Sequence, residues 1–347
     1  MFRRVILAGD QSKAHFGHQV NHEVVEELLD KAKVPGWTKA GVYWGDSGRR
    51  ASRKELSRLF SEAKADLIHI TNQEHANLIP DDLSLPVVIS VHDLFDFRPR
   101  SMEAGDIAVS LGDRKPSSSR TKQINSTRAA FSRADLILCS TNKTLEDCRS
   151  MFPSSRSILV RDSIDADFWD PIMNPRSREI LGSFDDPDRL LLVSVGGEDK
   201  RWRSQFITQV LENLPNNVAS EINLVRIGIE RLDSEQIAAA YQHAEAMLYP
   251  GVSVGFRCPP LEAIASGCPV LASNLPNHDE ILPEGCILPT IDVSAWVSSI
   301  TSIHHEWRRA GSETRLEDGR LSSFARSTMG RDSHGLSLSE AYESVFS

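Results

Sequence analysis

Gly251-Val-Ser-Val-Gly-Phe-Arg-Cys-Pro-Pro-Leu-Glu-Ala-Ile-Ala-Ser-Gly-Cys-Pro-Val-Leu-Ala-Ser-Asn274 reads as a tight loop, a short helix opened by two prolines, and a buried strand. Pro259 and Pro260 suit the first helical turn, where a missing N–H costs nothing. Gly267 sits just past the last helical residue, where a positive φ is wanted. Free N–H groups at such a helix start point toward an anion. Glu262 lies one turn in, within reach of a sugar hydroxyl beside that anion. The helix alone is equally a well-capped connection between two core strands; loop, cap, acid and strand together favour a nucleotide site.

Outward from this stretch, strand and helix alternate along the chain. Ala65-Asp-Leu-Ile-His-Ile-Thr71, Ala134-Asp-Leu-Ile-Leu-Cys-Ser140 and Ala244-Glu-Ala-Met-Leu-Tyr-Pro250 each run an acid-bearing helix end into an apolar strand. Continuous apolar runs at 4–8, 86–91, 190–195, 222–227 and 269–272 are bounded by Gly, Pro or Asp, as strands buried on both faces should be. Helical patterns fall at 18–33, 53–64, 120–133, 202–214 and 234–243, and again at 293–307 and 314–347 with a Ser-rich interruption. Such alternation predicts an α/β fold of doubly wound parallel sheets. Periodicity lapses across 165–179, where prolines and aspartates collect, which predicts a first domain over 1–165, a second over 166–325 and a helical tail over 326–347. Ligands of such sheets sit off the carboxyl ends of the strands, so the loops there are where chemistry is sought.

The 347 residues suffice for two cores, and 40% hydrophobic with 25% charged residues is ordinary for a globular protein. No apolar run approaches a membrane-spanning length, and the apolar stretch after Arg3 and Arg4 is too short for a signal peptide, so a cytoplasmic location is expected. Cys139, Cys148, Cys258, Cys268 and Cys286 form no Cys-x-x-Cys pair and suit reduced, buried thiols. The net charge of −9 argues against nucleic-acid binding. Basic residues gather between Arg98 and Arg133, which admits peripheral contact with an anionic lipid surface or a phosphorylated acceptor, with a solvated face as the favoured reading. His15, His18 and His22 have helical spacing, but no carboxylate completes a recognised metal pattern, and no metal site is expected. Walker loops, dinucleotide Gly-x-Gly-x-x-Gly motifs and Gly-x-Ser-x-Gly elbows are absent, which disfavours ATP hydrolysis, dinucleotide redox and esterase chemistry.

The stretch Val254-Gly-Phe-Arg-Cys-Pro-Pro-Leu-Glu262-Ala-Ile-Ala-Ser-Gly267 resembles the donor-site signature of retaining glycosyltransferases of the GT-B fold, above all glycosyltransferase family 4. That resemblance implies two Rossmann-like parallel-sheet domains facing across a cleft, and a donor site formed by Gly197, Ile229, Gly255, Phe256, Arg257, Cys258, Leu261 and Glu262, with Glu262 holding the ribose and Ile229 near the base. The chain departs from the family at Val254, which replaces a Glu that touches the donor sugar, at Gly197, where an arginine is expected, and at Arg161-Asp-Ser163, where the family has Pro-Asn-Gly.

Three further loops complete the expectation. Gly196-Gly-Glu-Asp-Lys-Arg-Trp-Arg203 pairs glycines with basic residues at a helix start, which suits a diphosphate; Lys200 fills the family lysine's role, with Arg201 or Arg203 as a substitute. His92, at the end of the strand over 86–91, matches a family histidine that touches the donor sugar; without the resemblance, a histidine satisfied at a sheet end is nearly as good a reading. Gly17 and His18 follow the first strand, on the acceptor side. Together these imply a metal-independent retaining transferase with His92, Lys200 and Arg201 as catalytic residues. It would move a hexose from a UDP- or GDP-linked sugar to a glycan or lipid-linked hydroxyl, with no cofactor beyond that substrate. The alternative is a GT-B-fold protein that binds a nucleotide or glycan without turnover.

Overall fold

In the computed structural model, residues 2–347 are described except 11–15, 46–48, 80–82, 105–106, 198–199, 253–258, 276–277, 313–314 and 316–317; of residues 10, 16–21, 44–45, 49–53, 103–104 and 107 only the backbone is considered. The first sheet is built from β1 (Arg3–Asp10), β2 (Trp37–Gly45), β3 (Leu67–Ile70), β4 (Val87–Val91), β7 (Leu136–Cys139) and β8 (Ser157–Leu159), with β5 (Arg100–Ala104) and β6 (Ile107–Leu111) forming a separate antiparallel hairpin. The second holds β9 (Leu190–Val195), β10 (Ile222–Ile227), β11 (Ala246–Tyr249), β12 (Val270–Ser273) and β13 (Ile287–Leu288). Strand orders are β2-β1-β3-β4-β7-β8 and β10-β9-β11-β12-β13, every pairing parallel. This is the doubly wound α/β architecture the sequence predicts, in two copies.

Helices return the chain between strands. They are α1 (Phe16–Asp30), α2 (Arg49–Ala63), α3 (Ser118–Phe131), α4 (Asn142–Met151), α5 (Ala166–Trp169), α6 (Ser204–Glu212), α7 (Asn216–Ala219), α8 (Ser234–His243), α9 (Pro259–Ala265), α10 (His278–Ile281), α11 (Val293–Arg309), α12 (Gly319–Met329) and α13 (Arg331–Glu343). Layers on both faces explain the continuous apolar strands. Ile6 and Ile68 pack toward α2 residues Leu56 and Phe60, whereas Val5, Leu7 and Leu67 pack toward α1 residues Val24, Val25 and Leu28. In the second sheet, Leu191 and Val193 face α8 and α9, and Leu190 and Leu192 face α6 and α11.

Strands β2 and β8 and the hairpin were not legible as continuous apolar runs. β2 is an edge strand carrying Lys39 and Thr38 among its apolar residues, and the hairpin alternates Arg100, Ser101 and Glu103 with Met102. Edge strands have one neighbour and need less apolar surface.

Helix α13 belongs to the first sheet's core despite following the second sheet in sequence. Leu338, Ala341 and Tyr342 are buried with Val5, Leu7 and Trp37, and the Tyr342 hydroxyl bonds His69 Nδ1 at 2.7 Å. A Cβ at Gly335 would overlap the Lys33 carbonyl, so only glycine lets this helix settle against the chain end of α1. Glycine in a helix ordinarily costs ~1 kcal/mol relative to alanine; overlap with backbone that cannot swing aside outweighs that gain. Gly335→Ala should therefore lower the unfolding free energy by ~1–3 kcal/mol in denaturant titration. Gly319→Ala, at a helix start with nothing within 4 Å of the new carbon, should leave it unchanged or raise it by ~0.4–1 kcal/mol. Equal effects at the two positions would contradict the packing argument.

Candidate active site

In the second sheet the strand order reverses between β9 and β11, and loops leaving a reversal point part to open a crevice. Three loops meet there. The Gly196 N–H donates to the Ile227 carbonyl at 2.9 Å, joining the ends of β9 and β10. Gly228 has φ of +93°, and a Cβ on it would stand 2.7 Å from the Gly196 carbonyl oxygen, so a larger residue would force these loops apart. The Val252 N–H donates to the Arg201 carbonyl at 2.7 Å, joining the loop after β11 to the loop after β9. On this rim Lys200 and Arg201 are exposed in a single 3₁₀ turn, Lys200–Trp202. Ile229 is 50% exposed, unusual for an isoleucine beside a sheet end. Gly197 has the Trp202 ring 3.3 Å from where its Cβ would be.

Arg203 does not share the rim. It is 3% exposed, in the left-handed region at φ +51°, immediately before α6. Its guanidinium donates to the Pro250 carbonyl at 3.0 Å, the Ser273 hydroxyl at 3.1 Å and the Thr290 carbonyl at 2.9 Å, and lies 4.4 Å from the Phe206 ring. Burial lowers its pKa, but a guanidinium stays charged at neutral pH. The sequence expectation that Arg203 could substitute for Lys200 at a diphosphate is thus corrected: its side chain is buried and its terminal nitrogens bind strand ends. Lys200 and Arg201 remain.

Helix α9 carries Leu261 and Glu262. The Leu261 side chain is fully buried in the second core, so what it could offer a ligand is its backbone N–H. Glu262 is half-buried, and its carbonyl accepts from the Ser266 N–H and hydroxyl, each at 3.0 Å. Val254, Gly255, Phe256, Arg257 and Cys258 lie outside the described residues, as does His15; of Gly17 and His18 only the backbone, within α1, is described.

His92 stands at the carboxyl end of β4 and is 7% exposed. Its N–H donates to Gln73 Oε1 at 3.2 Å, and its carbonyl accepts from the Thr144 hydroxyl at 3.1 Å. The ring nitrogen Nδ1 lies 3.1 Å from Asp162 Oδ2. Burial opposes charging the ring, yet the Asp162 carboxylate, its hydrogen bond and nearby Asp93 leave the His92 pKa above its ordinary value. Burial, with smaller contributions from neighbouring His22, His334 and His92, pushes His69 down to about 3 and, with like charges nearby, dominates in His22, at about 4. Burial likewise dominates in His334, at about 4.

The first sheet's edge is tied to the second's. The Glu280 carboxylate on α10 accepts from the Asn142 N–H at 2.8 Å and the Lys143 N–H at 3.3 Å, capping α4, whose Thr144 holds the His92 carbonyl. Beside it, Val109 and Leu111 of the hairpin pack with Val252 and Leu275, the residues after β11 and β12. These contacts bring the carboxyl edges of the two sheets together at α4, α10 and the hairpin. The segment 161–163, noted only as a departure in sequence, makes three contacts here: Arg161 with Glu280 at 3.9 Å, Asp162 with His92, and the Ser163 hydroxyl with His334 Nδ1 at 3.0 Å. Sequence reasoning missed Asp162 and Glu280 because their partners are distant along the chain.

Among the described residues no group of three His, Cys, Asp or Glu is placed to hold a metal, and no helix is long and apolar enough to cross a membrane. Within the basic stretch, Arg100 pairs with Asp147 at 3.0 Å and Arg120 with Asp96 at 2.5 Å, so part of that charge is used internally.

Residues 182–306 match the family model of group 1 glycosyl transferases. A stretch of 76 residues is 33% identical to the O-antigen chain mannosyltransferase RfbU of Salmonella typhimurium and covers 22% of this chain and 22% of that protein, about a fifth of the relative's length. Among solved structures, sucrose-phosphate synthase from Thermosynechococcus elongatus aligns over 99% of both chains with a TM-score of 0.70 at 13% identity. HepE of Anabaena, in complex with UDP, aligns over 99% of this chain and 100% of that one with a TM-score of 0.65 at 10% identity. Identities this low establish the shared fold, the GT-B arrangement of two Rossmann-like sheets.

The assignment of Arg203 and Lys200 to different tasks can be checked by stability. Arg203→Met should lower the unfolding free energy by ~2–4 kcal/mol, because it leaves the Thr290 carbonyl without this donor and removes the tie to Pro250 and Ser273, which keep only the hydrogen bond between them. Lys200→Ala, on the exposed rim, should change it by less than ~0.5 kcal/mol. A mild Arg203→Met phenotype in denaturant titration would show that the strand ends hold without it.

Proposed function

With a group 1 glycosyl transferase domain over residues 182–306 as the premise, we propose that the protein moves a sugar from a nucleoside-diphosphate sugar to a hydroxyl acceptor, with retention at the anomeric carbon and without a metal. One observation carries this: the loops after β9, β10 and β11 are drawn together at the strand-order reversal, with Lys200, Arg201 and half-exposed Ile229 left on their rim. Charge on a leaving nucleoside diphosphate is greatest as the sugar bond breaks, and fixed cations beside it lower that barrier. Ile229 offers an apolar face to a base. Glu262, on the first turn of α9, holds the ribose, and His92 meets the sugar from the opposite edge. The departing phosphate oxygen takes the acceptor proton, so no paired carboxylates are needed. HepE is in complex with UDP and RfbU is an O-antigen chain mannosyltransferase, which supports a nucleotide-linked hexose as donor; UDP or GDP as its nucleotide and a glycan or lipid-linked acceptor are part of the proposal.

A second reading, binding without turnover, is favoured by Val254, which cannot accept a hydrogen bond where the family has a glutamate. Calorimetry with UDP and GDP followed by a sugar-release assay separates the two. The transferase reading expects one nucleotide to bind, its sugar conjugate to be consumed in the presence of EDTA, and the product anomer to match the donor's. Lys200→Ala should weaken nucleotide binding by about tenfold, roughly one charge-assisted hydrogen bond, and slow turnover by at least as much. Binding with no release of sugar across a panel of donors would leave the second reading standing.

A further inference from the structure

We propose that Asp162 is the positioning residue for His92, holding its imidazole as a cation at the edge of the site where the sugar sits. This rests on the transferase reading and concerns the opposite wall of the same site.

His92 Nδ1 lies 3.1 Å from Asp162 Oδ2, and the side chains are only 8% and 14% exposed. The ring is also hydrogen-bonded to the Thr71 backbone, whose carbonyl is an acceptor. A carboxylate and a carbonyl can only accept. A neutral imidazole carries one N–H and could satisfy one of them; two N–H groups, the imidazolium, satisfy both. The backbone of His92 is fixed as well, by Gln73 and Thr144, so the ring has one placement to keep.

The other ionisable groups around the ring do not supply this arrangement. His69 on β3 and His334 on α13 are buried and held neutral, each with its ring bonded elsewhere, to Ser90 and Tyr342 and to Ser163 respectively. Asp93, next in sequence, bonds the Phe95 N–H at 3.1 Å, and burial raises its own pKa to about 6, so it is a weaker anchor than Asp162. Among the described residues, Asp162 is the carboxylate that touches the ring.

The consequence has a definite sign. A histidine whose pKa is raised by the fold is charged below its ordinary value of 6.5 and loses that charge only as pH climbs through the raised one. The active form is then the low-pH form, and His92 sets an alkaline limb in the rate profile.

Asp162→Asn keeps the shape and removes the charge. In that variant the His92 midpoint, followed by NMR of the imidazole and assigned with His92→Asn, should fall by about one pH unit or more, the scale of a close carboxylate's influence. The alkaline limb of kcat should move by the same amount, and kcat at pH 8 should drop about tenfold while the donor KM changes by less than about threefold. Asp162→Glu should restore part of both shifts. A midpoint that stays put, or one that moves while the rate profile does not, would overturn the proposal. Absence of turnover in the unsubstituted protein would contradict the transferase reading instead, and the titration would still decide whether Asp162 holds the ring charged.

Discussion

Arg203 is the tie on which the proposed donor site depends. Its guanidinium reaches the carbonyl after β11, a hydroxyl at the end of β12 and the carbonyl of Thr290 beyond β13, while its own backbone turns the chain from the rim into α6. A left-handed arginine costs ~1–2 kcal/mol. Hydrogen bonds from a charged group contribute ~1.5–3 kcal/mol each, so three of them outweigh that cost. With the strand ends held by this buried cation, the preceding 3₁₀ turn can leave Lys200 and Arg201 in the open. One basic residue is spent on architecture while its two basic neighbours stay on the exposed rim.

The first sheet solves a different problem, that of placing one polar ring among apolar strands. His69 and Ser90 are buried in the sheet, and the tail helix supplies Tyr342 to complete their hydrogen bonds. One step further along the same edge, His92 meets Asp162 in place of a neutral partner. The tail therefore does more than cover a face: α13 brings both Tyr342 and His334 to the first sheet's polar edge, after the chain has already built the second sheet. Glu280 supplies the reciprocal contact by capping α4 from the second unit. The carboxyl edges are held face to face by specific polar groups and by the small apolar cluster of Val109, Leu111, Val252 and Leu275.

Much of this was legible in the sequence because parallel strands buried on both faces must be continuous apolar runs. Leu190–Val195 and Val87–Val91 announce themselves in that way, and the loops after them carry Lys200 and His92 as read. β2 and the hairpin did not, since edge strands tolerate alternation and charge. Within the candidate site, residue type alone did not reveal which way a side chain faces. Three basic residues in Lys200-Arg-Trp-Arg203 look alike in sequence, and only the left-handed backbone at Arg203 turns its side chain into the core. Leu261 likewise faces inward, as its helical position beside Ala263 and Ile264 requires. Asp162 was visible as a departure from a pattern, but its meaning depends on a partner 70 residues earlier in the chain.

The most direct test of the central claim is a crystal structure of the protein grown with UDP or GDP, whichever binds. The expected density places the diphosphate at the rim formed after β9 and β11, with Lys200 or Arg201 nitrogens within ~3 Å of its oxygens and the base against Ile229. A nucleotide bound elsewhere, or one at the rim with both side chains turned away into solvent, would contradict it.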